Sequence, residues 1–74
     1  MSDVSSNVRY GVVAMEFGGR NLPLQVLKSA AGFYIGTYDD EDGPFSRESA
    51  EYYATKEEAS AALVSNTFTQ REHP

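Results

Sequence analysis

The run Asp39-Asp40-Glu41-Asp42-Gly43-Pro44 constrains the fold of this chain more than any other stretch. Asp, Gly and Pro are residues that strands avoid and turns favour. Directly before it, Phe33-Tyr34-Ile35-Gly36-Thr37-Tyr38 alternates, with Phe33, Ile35 and Thr37 on one face and Tyr34 and Tyr38 on the other. A strand that runs into such a break must reverse there, so an antiparallel pairing across residues 39–44 is predicted.

The flanking segments extend this picture. Val8 to Phe17 is rich in β-branched and aromatic residues and closes on Gly18-Gly19, which reads as a strand ending in a tight hairpin turn. Leu22, Leu24 and Val26 alternate with Pro23, Gln25 and Leu27; Pro23 has no N–H to donate and belongs at a strand start or an edge. Ser29-Ala30-Ala31-Gly32 is a small-residue break of hairpin-loop length. Beyond the acidic turn, Phe45–Tyr53 has strand-like ends, and a short fourth strand is expected near Glu51-Tyr52-Tyr53. Thr55 followed by Glu58 forms a capping box, and Glu57 and Glu58 suit the positive end of a helix dipole, so a helix should begin at Lys56. Ala59, Ala62 and Leu63, widened by Ala61 and Val64, give that helix a narrow face of mostly small side chains suited to close packing on a sheet.

The expected fold class is α+β: a three- to four-stranded antiparallel sheet with one C-terminal helix packed across one face. At 74 residues there is room for a single domain, since a chain of this size buries only about 60 % of its unfolded surface. The domain is expected over 8–68, between a flexible N-terminus (1–7) and a flexible C-terminus (69–74), both polar. Without cysteine, neither disulfides nor thiolate zinc can reinforce a small core, which leaves tight packing or oligomerisation. One helix covers one sheet face, so a face bearing Tyr34 and Tyr38 should lie opposite it, and a homodimer through that face is one expectation.

Catalytic chemistry finds little support in the sequence. The sole histidine is His73, next to the last residue, which leaves no Ser-His-Asp or Cys-His arrangement and no histidine-rich metal site. The acidic run fails as an EF-hand loop: aligned on Gly43, Tyr38 and Ser49 occupy positions where calcium ligation requires acids. Its glycines match no phosphate-cradling spacing. No enzyme activity, catalytic residue, metal or cofactor is therefore expected. The start Met1-Ser2-Asp3-Val4 lacks a basic-then-apolar signal, and no run of 18 apolar residues occurs, so the expectation is a soluble, cytoplasmic protein.

Charge points instead to contact. Residues 1–38 carry Asp3 and Glu16 against Arg9, Arg20 and Lys28, a net +1, whereas residues 39–58 hold eight of the eleven carboxylates against Arg47 and Lys56, a net −6. A net charge of −5 opposes direct binding of nucleic acid or of anionic membranes, both of which are bound through Lys and Arg. The function expected is a small acidic protein-binding domain that meets a basic protein partner through the hairpin tip Asp39, Asp40, Glu41 and Asp42, the tyrosines Tyr34 and Tyr38, and the neighbouring Arg47 and Glu48. Arg47, the lone cation between Asp39 and Tyr53, is expected to pair with a nearby surface carboxylate. Two alternatives accompany this reading: a phage- or plasmid-borne inhibitor whose carboxylates mimic nucleic-acid charge, and a structural homodimer with no separate ligand.

Overall fold

The alternating segment at residues 32–39 forms the central strand of the sheet. In a computed structural model, which describes residues 9–73, the chain runs α1 (Val12–Gly18), β1 (Gln25–Ser29), β2 (Gly32–Asp39), β3 (Gly43–Arg47) and α2 (Lys56–Ser65). The three strands form one antiparallel sheet in the order β1-β2-β3. This is the expected α+β class, with the C-terminal helix α2 packed against β1 and β2 through its buried Ala59 and Ala62.

Two of the three predicted reversals occur. The β1–β2 hairpin closes at Ser29↔Gly32 around Ala30-Ala31, and Gly32 sits at φ 135°, a conformation glycine adopts without a Cβ penalty. The β2–β3 hairpin closes at Asp39↔Gly43 around Asp40-Glu41-Asp42, with Gly43 at φ 83°. Between Thr37↔Ser46 and Tyr38↔Pro44 the register shifts, leaving Phe45 as the extra residue of a bulge on β3.

Two expectations are corrected. The segment read as a first strand is helical from Val12 to Gly18, so no hairpin turns at Gly18-Gly19. Gly19 instead ends the helix at φ 66°, its N–H directed to the carbonyls of Ala14 and Met15. Only Arg9–Gly11 is extended, against Leu22–Leu24, through Gly11 N–H to Leu22 O (2.9 Å) and Leu24 N–H to Arg9 O (2.8 Å). Pro23 lies in that short pairing opposite Tyr10, where its missing donor costs nothing. The fourth strand expected near Glu51-Tyr52-Tyr53 is replaced by β3 directly after the acidic turn, at Gly43–Arg47, while Tyr53 returns to β2 as a single bridge to Phe33. Beyond residue 68, Ala50 N–H donates to Thr69 O (2.8 Å) and Arg71 N–H to Glu48 O (2.7 Å). The expectation for residues 1–7 lies outside the described residues.

Helix α2 starts as the sequence requires. Thr55 Oγ1 accepts the N–H of Glu58 at 3.1 Å, and Glu58 reaches back to the N–H of Ala54 at 3.3 Å, one residue before the cap. Asn66, at φ 57°, ends the helix in the left-handed conformation that asparagine tolerates. The interior is small. Ile35 and Thr37 of β2 are fully buried, as are Ala59, Glu48 and Ser49, so polar groups occupy a share of the core and each must find a partner.

Candidate interaction surface and the carboxylates behind it

Asp39 builds the acidic tip from within. Its carboxylate accepts the N–H groups of Glu41 (2.7 Å) and Asp42 (3.2 Å) and forms an ion pair with Arg20. The two N–H bonds, aided by the Arg20 charge and opposed by burial, hold its carboxyl below the usual aspartate range. Arg20 is fixed in turn against the ring of Phe45, 5.6 Å from its centroid. The consequence is a division of labour along four consecutive acids: Asp39 is 3 % exposed, whereas Asp40, Glu41 and Asp42 all face solvent. Tyr38, 42 % exposed, stands beside them.

The sheet face bearing the tyrosines is partly closed by the chain itself. Tyr34 is buried, with the ring of Tyr52 meeting it edge-on at 6.0 Å. Arg47 lies over Tyr52 at 4.6 Å from its centroid and donates to its hydroxyl. Burial, followed by the proximity of Tyr52, pushes the Tyr34 hydroxyl up. The expected pairing of Arg47 with a carboxylate is therefore replaced by stacking on an aromatic ring, for which its planar guanidinium is suited. Nothing in the spacing of Arg47 and Tyr52 signals that contact, because it forms across an irregular turn after β3.

Glu48 is fully buried, and its carboxylate is a junction. One oxygen accepts the N–H of Val13 (3.0 Å) and the side-chain amide of Gln70 (2.7 Å); the other accepts the N–H of Ala14 (3.0 Å) and the hydroxyl of Ser46 (2.5 Å). Burial pushes its carboxyl up, but the bonds from Ser46, Val13, Gln70 and Ala14 outweigh it and the net displacement is downward. Gly11, the residue before α1, carries no side chain to cap the helix, so Glu48 satisfies N–H groups that would otherwise be orphaned. Glu51 is consumed similarly, accepting the N–H of Thr69 at 2.9 Å, and the Thr69 hydroxyl followed by that N–H holds its carboxyl down.

Of the eight residues expected to meet a partner, Tyr38, Asp40, Glu41 and Asp42 form one exposed group. Tyr34, Asp39 and Glu48 lie in the interior, and Arg47 is half-buried against Tyr52. Among the described residues, no three His, Cys, Asp or Glu side chains converge as a metal-binding group, and no helix is long and apolar enough to cross a membrane. Compared with protein-family models, with curated proteins and with solved structures, the chain matches none.

Proposed function

We propose that this chain is a small non-enzymatic binding domain that engages a basic protein partner through its acidic hairpin tip. The observation that carries the reading is the arrangement at Asp39. A carboxylate placed inside the turn fixes the backbone, and the three acids that follow project into solvent with their charge uncompensated beside the exposed ring of Tyr38. Exposed acids held by a rigid backbone steer a basic partner and orient the encounter. Tyr38 supplies the amphipathic area that protein contacts use. Tyr52, 42 % exposed after β3, packs edge-on against Tyr34 and lies under Arg47. A tip of three acids is too sparse to imitate the phosphate spacing of a duplex, about 1.7 Å per charge, so the geometry favours a protein-recognition role over nucleic-acid mimicry.

The test is affinity capture from the native host with the wild-type chain and the triple variant Asp40→Lys, Glu41→Lys, Asp42→Lys, at low and at moderate salt. A partner held by the wild type, lost on charge reversal and weakened by salt supports the reading. Equal capture of the same proteins by both chains would sink it.

A further inference from the structure

A second surface, apart from the acidic tip, has different chemistry. Between α1 and β3 lies a cleft of about 390 Å³, within the usual range of small-ligand sites. Val13, Ala14 and Phe17 of α1 and Phe45 of β3 form its apolar lining, and Arg47 and Arg71 complete it. No carboxylate lines this cleft, although the chain carries a net charge of −5. Two more basic groups adjoin it: Arg20 over the ring of Phe45, and His73, whose ring centroid lies 6.1 Å from that of Phe17. Three of the chain's six Lys and Arg side chains and its only histidine thus gather around one depression.

The charges are not all spent internally. Arg20 is balanced by Asp39, the single ion pair among the described residues, so neither Arg47 nor Arg71 has a carboxylate at ion-pair distance there. The guanidinium of Arg47 is committed to Tyr52 and its Nε is buried, so Arg71 is the guanidinium left to a ligand in the cleft. The wall itself is closely packed: a Cβ at Gly18 would come within 2.5 Å of the Phe45 ring, so α1 lies directly against β3 and the depression has a firm floor. Phe17, 54 % exposed, offers a ring at its rim.

We propose that this cleft binds an apolar monocarboxylate, its hydrocarbon or aryl body between Phe17 and Phe45 and its carboxylate on Arg71. A guanidinium is the donor group best matched to a carboxylate. The same chemistry is presented by a free aryl- or alkyl-carboxylic acid and by the C-terminal residue of a peptide. This site shares no residue with the exposed tip acids, so its failure leaves the tip reading untouched.

The test is a ¹H–¹⁵N shift titration of the full chain with three probes: 3-phenylpropionate, 3-phenylpropanamide and N-acetylglycylphenylalanine. The propionate should give saturable shifts centred on Phe17, Phe45 and Arg71, with Kd on the order of 1 mM. The amide should bind about tenfold more weakly, the loss expected when a charge-assisted bond becomes neutral. Arg71→Gln should weaken the propionate about tenfold and leave the amide unchanged. Tighter binding of the dipeptide than of the propionate assigns the site to peptide C-termini, and weaker binding assigns it to small acids. Equal affinity for acid and amide, or no saturable shift at these residues by about 20 mM, overturns the proposal. The acid–amide comparison needs no variant and holds even if Arg71→Gln does not fold.

Discussion

The carboxylate of Glu48 accepts the backbone N–H of Val13 at 3.0 Å across 35 residues of sequence, so the N-terminus of α1 is capped by a side chain from beyond β3. Each Glu48 oxygen receives two donors, Val13 and Gln70 on one, Ala14 and Ser46 on the other. Glu48→Gln must turn an NH₂ group towards one of those pairs, whichever way the amide is placed. Leaving buried donors unpaired around a group of unchanged size should cost about 2–4 kcal/mol. Urea unfolding of the variant against wild type measures it; a loss under about 0.5 kcal/mol, the level of an ordinary surface change, would show that Glu48 does not hold α1.

Acid should unfold the chain through the same carboxylates. Glu48, Asp39 and Glu51 all titrate lower folded than in their ordinary state, so the unfolded chain binds more protons as pH drops. The stability they contribute is fully present above the unfolded carboxylate range of about 4 and is lost as pH falls through the lower folded values. Thermal unfolding from neutral pH downwards should show a nearly constant Tm to about pH 5 and a steep fall below it. In Glu48→Gln the fall should be shallower, because one of the three groups no longer titrates. A Tm that rises on acidification contradicts this account.

The structure also shows where sequence reasoning succeeds and where it stops. The β2 alternation, the reversal at 39–43 and the Thr55 cap are local: each rests on residues within a few positions of one another, and each is found as read. Helix α1 is not local. Its residues Val12, Val13 and Phe17 favour strands, it spans only 7 residues, and Gly11 gives it no cap; it stands because Glu48 supplies the missing acceptors and because it packs on β3. Tertiary contact overrides propensity there. The candidate site divides the same way. Exposure of Asp40, Glu41 and Asp42 follows from the turn composition, but the inward placement of Asp39 depends on Arg20, and that of Tyr34 on Tyr52, neither of which any spacing foretells.

Two glycines beside α1 should respond to alanine for different reasons. Gly11 has an ordinary φ of −72°, yet a Cβ there would meet Glu48 Oε2 at 2.5 Å and Thr37 Cγ2 at 2.6 Å. Both are buried, so the junction must move, and Gly11→Ala should cost about 1–3 kcal/mol as overpacking does. Gly19 has open space around its Cβ position but sits at φ 66°, so Gly19→Ala should cost about 1 kcal/mol of backbone strain alone. Combining Gly11→Ala with Glu48→Ala, which removes the obstructing carboxylate, should be markedly less than additive. The corresponding combination of Gly19→Ala with Glu48→Ala should be additive, and chemical denaturation of the three single variants, the two double variants and their parent checks both. Additivity at Gly11 would mean that its cost does not arise at Glu48.

Separating the tip's role in folding from its role in binding is possible because only its first acid is built into the turn. Asp40, Glu41 and Asp42 are exposed and their side chains make no hydrogen bond among the described residues, so reversing all three to lysine should change stability by no more than about 0.5 kcal/mol per site. Relief of like-charge repulsion in a chain of net charge −5 acts in the stabilising direction. Asp39→Ala removes the acceptor for Glu41 and Asp42 N–H and leaves Arg20 without its partner; it should lower Tm and increase amide exchange across residues 40–43. Asp39→Asn keeps an acceptor oxygen for those N–H groups and should fall between the two. If the lysine triple variant unfolds as readily as Asp39→Ala, the tip acids belong to the fold, and their charge is not free to serve a partner.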